Sequence, residues 1–140
     1  MNITVESVVK ASLAEVWGAW TTPEDITRWN SPSEDWHTPT AEIDLREGGK
    51  FSYRMEAKDG SMGFDFEGKF TRVNEPELIE YELDDGRAVR IEFAEVEEGV
   101  RVRETFEAES DHEAEQQRQG WQAILDNFAK HVEAKSASTS

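Results

Sequence analysis

Ile3, Val5, Ser7 and Val9 alternate with Thr4, Glu6 and Val8, a period of two that gives a strand one buried face. The period then changes. Ser12 followed by Glu15 forms a capping box, and Leu13, Val16, Trp17 and Trp20 recur at helical spacing, which predicts a short amphipathic helix. Thr22, Pro23 and Asp25 repeat the start signal with an N-cap, a proline at the first helical position and an acid in the first turn. A second short helix is therefore predicted to run to about Trp29. Asn30 to Pro39 holds two prolines, two serines, Asp35, Trp36 and His37, and reads as an irregular loop.

From Ala41 to Ala108 alternation returns, cut by turn signals. Gly48-Gly49 is a tight turn, after which Phe51, Tyr53 and Met55 alternate with Ser52, Arg54 and Glu56. Lys58-Asp59-Gly60 turns the chain into Met62, Phe64, Phe66 and Phe70, and Asn74-Glu75-Pro76 breaks it before Ile79, Tyr81 and Leu83. Asp84-Asp85-Gly86 leads into Val89, Ile91 and Phe93, and Glu97-Glu98-Gly99 into Val100, Val102 and Phe106. Connections this short force antiparallel neighbours, because a parallel pair needs a crossover of about a dozen residues. The product is a meander with one apolar face.

Ser110 and Glu113 make a third capping box, and Trp121, Ile124, Leu125, Phe128 and Val132 then keep helical spacing. A helix from Glu113 to Val132 is roughly 30 Å long, enough to lie across a sheet. Its apolar stripe must be covered, and the meander offers the only large apolar face. The chain is thus predicted to be an α+β domain in which a curved antiparallel sheet wraps the C-terminal helix and two short helices close one end. Residues 135–140 are small and polar, and are expected to form a disordered tail.

Composition narrows the function. With 140 residues the chain fits one domain, and with no cysteine it has no disulfides, thiolate nucleophile or cysteine-held metal. Fifteen basic against 31 acidic residues give a net charge of −16, which repels phosphate backbones and anionic lipid, so nucleic acid is not an expected partner. No run approaches the ~18 apolar residues of a membrane span, and Met1 to Lys10 lacks a leader pattern, so a cytoplasmic protein is expected. Phosphate-cradling glycine runs, a G-x-S-x-G elbow and a G-x-G-x-x-G fingerprint are all missing, and the three histidines lack metal spacing. No cofactor and no metal are expected.

Three segments carry a resemblance: VWGAWTTPEDITRWN (Val16 to Asn30), DWHTPTAEIDLREGGKFSYRMEAKDGSMGFDFEG (Asp35 to Gly68) and RQGWQAILDNF (Arg118 to Phe128). Together they resemble the activator of Hsp-90 ATPase homologue family, within the START-like superfamily of helix-grip (START/Bet v 1-like) folds. The resemblance spans Thr4 to Glu133 and implies one START-like domain over residues 1–134. It also implies about six or seven strands gripping the C-terminal helix, with a cavity between them. Relatives of this fold bind lipids, hormones, aromatic polyketides or other apolar molecules, some catalyse cyclisation or hydrolysis, and eukaryotic namesakes stimulate a chaperone ATPase. Those namesakes carry an additional N-terminal domain that engages the chaperone, for which 140 residues leave no room. A small apolar molecule is therefore the expected partner ahead of a chaperone, with the chain a monomer or homodimer.

Candidate site residues follow from faces and residue types. Trp17, Trp20 and Trp121 read first as packing, whereas Trp29 and Trp36 bracket the predicted loop and read as pocket lining. His37 lies two residues from Asp35, which suits either a proton carrier with a fixed tautomer or a loop anchor; His112 and His131 read as exposed. The alternation Val100, Val102, Glu104, Phe106 points Glu104 inward unless a bulge turns it out or a wet cavity mouth solvates it; inward, it would have a raised pKa or a partner. Arg54 and Glu67 fall on the solvent side as cross-strand charge pairs, and Tyr53 and Tyr81 bring hydroxyls to the apolar side. The expected lining is Trp29, Trp36, His37, Tyr53, Phe64, Phe66, Tyr81, Phe93, Trp121 and Leu125, with Glu104 orienting the ligand. The same cavity with His37 or Glu104 as proton carrier is the hydrolase or cyclase alternative.

The acid excess is spread from Glu6 to Glu133, with only six lysines, and fits either an ordinary soluble surface or a high-salt cytoplasm. On the second reading, salt screens self-repulsion and Tm rises between low and molar KCl. A flat melting series in KCl would exclude it.

Overall fold

A computed structural model describes residues 2–31, 33–108 and 114–139. β1 (Asn2–Val9) buries Ile3, Val5 and Val9 on one face, as its period of two requires. α1 (Leu13–Thr21) starts at the expected capping box, in which Glu15 N donates to Ser12 Oγ (3.2 Å) and Ser12 N donates to Glu15 Oε1 (3.1 Å). α2 (Pro23–Trp29) follows at once. Thr22 is its N-cap but makes no side-chain capping bond, so Pro23 at the first helical position carries the start signal.

Six more strands follow: β2 (Trp36–Ile43), β3 (Lys50–Ala57), β4 (Gly63–Asn74), β5 (Leu78–Leu83), β6 (Ala88–Val96) and β7 (Gly99–Glu107). The sheet order is β1-β7-β6-β5-β4-β3-β2, antiparallel throughout. The meander curls into a half-barrel, and the first strand returns to pair with the last. β2 takes in the last four residues, Trp36 to Pro39, of the segment predicted as a loop. Pro39 misled the reading, because a proline is tolerated in an edge strand, and the ladder shifts register between His37 and Thr40 to accommodate it.

α3 (Ala114–Thr139) lies on the concave side against β1, α1 and α2. It runs through residues 135–139, which the sequence reading assigned to a polar tail. The third capping box, Ser110 with Glu113, and His112 lie outside the described residues. Leu125, Phe128, Ala129 and Val132 are buried along the middle of the helix. Phe128 sits edge-on to both Trp20 (4.8 Å between centroids) and Trp29 (4.9 Å), and Trp29 Nε1 donates to the Ala19 carbonyl at 2.9 Å. The indole proton is thereby satisfied inside an apolar cluster.

Polar groups fasten the same end. Buried Asp25 of α2 holds two side chains of α3: His131 Nε2 lies 2.8 Å from Oδ1, and Lys135 Nζ donates to both oxygens at 3.0 and 3.1 Å. His131 is therefore a half-buried tie between helices, correcting the expectation of an exposed residue. On the convex side, Arg54 pairs across strands with Asp65 (3.4 Å) and along its own strand with Glu56 (2.9 Å), while Glu67 accepts from Ser52 Oγ at 3.3 Å. The charge pairing predicted for Arg54 is present. Glu67 takes a hydroxyl instead.

Burial raises the Asp25 pKa, but the hydrogen bonds and charges of His131 and Lys135 outweigh it and hold the carboxyl below its usual range. A depressed pKa contributes stability above the unfolded value and loses it as pH falls through the folded value. Asp25→Asn is expected to cost about 1–3 kcal/mol in denaturant unfolding at neutral pH. It should also flatten the acid limb of the stability curve, and a limb identical to wild type would remove Asp25 from it.

Candidate functional site

The helix does not touch the sheet along its whole length. Between the first half of α3 and strands β3 to β5 lies a cavity of about 240 Å³. Its floor is built from inward positions of three strands: Tyr53 and Met55, Phe64, Phe66 and Phe70, and Ile79 and Tyr81. Gln117, Gly120, Trp121 and Ile124 of α3 form the roof, Trp20, Trp29, Asn30 and Ile43 close one end, and Glu104 of β7 contributes a carboxyl.

Aromatic contacts keep the walls in place. Phe51, buried on the same face just outside the lining, touches Tyr53, Phe66, Phe70 and Tyr81 at centroid distances of 4.7 to 5.8 Å. Its ring fits because residue 68 is glycine: a Cβ there would come within 2.8 Å of two Phe51 ring carbons and of the Glu82 carbonyl. Overhead, Trp121 stacks on Phe106 at 4.0 Å and 11° and meets Phe66 edge-on at 6.1 Å.

Eleven residues were expected at the ligand, and the structure separates them. Trp29, Tyr53, Phe64, Phe66, Tyr81, Glu104 and Trp121 line this cavity. Phe93 does not. It lies on β6 under α1, packed against Trp17 and Trp20, so it faces the concave side at the filled end. Leu125 is fully buried in the core, one position round the helix from the roof residue Ile124. Trp36 is half-buried at the start of β2 and lies edge-on to Phe64 at 6.0 Å, outside the lining. His37 is exposed, its Nε2 3.7 Å from Glu56 rather than paired with Asp35, so it cannot serve as a proton carrier in the cavity.

The sequence reading missed Trp20, Asn30, Ile43, Met55, Phe70, Ile79, Gln117, Gly120 and Ile124. Met55, Phe70 and Ile79 lie on the right face by alternation, which does not distinguish cavity wall from filled core. Gly120 carried a usable signal, being a glycine inside a helix where it costs about 1 kcal/mol relative to alanine.

Among the described residues four polar or charged side chains are buried: Asp25, Asn30, Thr38 and Glu104. Asp25 is paired as above, and Thr38 Oγ1 donates to the Asn30 carbonyl while Asn30 Nδ2 donates to Thr38 Oγ1 at 3.3 Å. Glu104 is different. No hydrogen-bond partner for it exists among the described residues, and burial raises its pKa to about 8, leaving it a neutral acid near pH 7. Burial also raises both tyrosines. Tyr81 is pushed further by the Glu104 charge and by Tyr53, against a small opposing effect of Arg87. The tyrosines are neutral while Glu104 titrates, so they add no charge to its shift. Among the described residues no three His, Asp or Glu side chains gather as metal ligands would, and no helix is long and apolar enough to cross a membrane.

A curled antiparallel sheet gripping one long helix, with a cavity between them, defines the helix-grip class. Residues 10–133 match the family model described as Activator of Hsp90 ATPase homolog 1-like protein, and the chain belongs to that family. It is similar to an AHSA1-like protein from Aeromonas hydrophila at 49% identity, over 96% of this chain and 94% of that one, with a TM-score of 0.90. A Cytophaga hutchinsonii protein, Chr148, is 43% identical over 96% and 93% of the two chains, with a TM-score of 0.82. The Nitrosomonas europaea protein NE0264 shares the fold with a TM-score of 0.85 at 19% identity, over 98% and 97% of the chains. No curated protein matches the chain.

A raised carboxyl pKa lowers stability as pH climbs from the ordinary glutamate range to the folded value, because only the unfolded chain ionises there. Glu104→Gln removes that slope. Relative to its own difference from wild type at about pH 5, the variant should gain at least about 2 kcal/mol by about pH 8. Parallel stability curves for the two proteins would show that Glu104 ionises normally.

Proposed function

We propose that the protein binds a small, largely apolar molecule of one or two rings in the cavity between the sheet and α3. The observation that carries this reading is an aromatic-lined space of about 240 Å³ where close packing would be the rule. An apolar cavity of about 150 Å³ already admits benzene. Burying roughly 200 Å² of such a ligand supplies ~5 kcal/mol, against an association cost of at least about 4 kcal/mol. Apolar burial alone therefore gives weak binding, and a tighter ligand must use the polar groups. The open interior favours this reading over a role beside a chaperone, which needs a working outer surface and has no use for internal space.

Gly120 supplies the test. A Cβ built there meets nothing within 4 Å, so a larger side chain enters the cavity from the roof. Gly120→Leu is expected to keep or raise Tm, by helix propensity and added apolar contact, while abolishing saturable binding of ethylbenzene or naphthalene seen by tryptophan fluorescence. Unchanged affinity in the variant would move the ligand out of this cavity. Absence of binding by the wild-type protein would end the reading.

A further inference from the structure

One corner of the cavity is polar. Glu104 of β7, Tyr81 of β5 and Tyr53 of β3 line it from different strands, near enough for Glu104 and Tyr53 each to act on Tyr81; all three are buried, and none of the three side chains hydrogen-bonds to another described residue. Resting on the binding role proposed above, we infer that this corner recognises the acceptor oxygen of a neutral ligand, a ketone, aldehyde or amide carbonyl on a one- or two-ring apolar body.

The chemistry of the three groups selects that class. Each presents an O–H to a space whose remaining lining is apolar apart from Asn30 and Gln117, and a buried donor left unmet is costly. A carbonyl oxygen brings two lone pairs and no proton of its own, so it satisfies donors without adding another. An ammonium ligand would need Glu104 ionised, against the burial that keeps it protonated near neutrality. An anionic ligand would enter a chain of net charge −16 and meet no cation in the cavity wall. The surroundings of Glu104 offer nothing to reverse this. Its ladder partners are Val5 on β1 and Ile91 on β6, the helix above presents Gln117 and Trp121, and the titratable groups facing it are the two tyrosines. Arg87 acts on Tyr81 and not on Glu104.

Three probes of matched size separate the alternatives: acetophenone, ethylbenzene and 1-phenylethylamine. Apolar burial alone ranks ethylbenzene first, since it is the most hydrophobic of the three. At about pH 6 acetophenone is expected to bind about tenfold tighter than ethylbenzene, the ranking opposite to hydrophobicity. Its affinity should fall as pH rises through about 8, where Glu104 loses the donated proton, while that of ethylbenzene stays nearly flat. Glu104→Leu should invert the ranking. Glu104→Gln, which keeps an N–H donor and conserves shape, should retain the preference and lose its pH dependence, so the test survives if the leucine variant fails to fold. Ethylbenzene binding as tightly as acetophenone to the wild-type protein overturns the carbonyl assignment and leaves the cavity a binding site. Tightest binding of 1-phenylethylamine, rising with pH, overturns it in favour of a cation site. Saturable binding of none of the three overturns the binding role itself.

Discussion

Phe128 held between Trp20 and Trp29 is the contact on which the rest depends. It fixes the second half of α3 against α1 and α2. Asp25, bonded to His131 and Lys135, locks the same end with charge. The helix is a rod and the sheet is concave, so a rod pressed home at one end can stand clear of the sheet at the other. Trp121, stacked on Phe106, sets how far it stands clear. The cavity is the remainder of this geometry. Filling it takes only larger side chains at the roof, yet position 120 holds a glycine in mid-helix.

The polar interior supports the same view from energetics. Asp25, Asn30 and Thr38 behave as buried polar groups usually do, each with partners. Glu104 breaks the pattern at the one place where the interior is open. A structural carboxyl would be expected to have acquired an arginine or a backbone amide, because leaving it unpartnered costs more than replacing it with an apolar residue. The exception and the void coincide, and that coincidence is harder to explain by packing than either feature alone.

Much of this was legible in the residue pattern. Alternation identified the strands and their faces, the capping box at Ser12 placed α1, and helical spacing from Trp121 to Val132 identified the gripped helix, so the helix-grip fold followed. The strand β2 was hidden because Pro39 and its serine-rich approach carry loop chemistry, and only the edge position of the strand makes them compatible with a ladder. The site was legible by face but not by depth. Phe93 and Tyr81 share the concave side, yet one lies under the packed end of α3 and the other under the open end. Nothing in a period of two records where along the helix contact is lost. Trp36 and His37 failed for a related reason: they were assigned by residue type to a closing loop, whereas the strand they belong to leaves the histidine in solvent.

Trp36 still bears on the cavity at one remove. Phe64 lines the cavity yet is 46% exposed, so it stands where the interior meets solvent, beside exposed Met62 on the same hairpin. Trp36 meets the Phe64 ring edge-on from β2, an edge strand with a register break two residues further along. An aromatic at the mouth, braced by a second aromatic on an interrupted edge, is the least supported part of the wall. The opposite end is closed by Trp20 and Trp29, themselves held by Phe128. A ligand exchanging with solvent would therefore pass Phe64 with the least disruption, leaving the tryptophan cluster and the Asp25 tie intact.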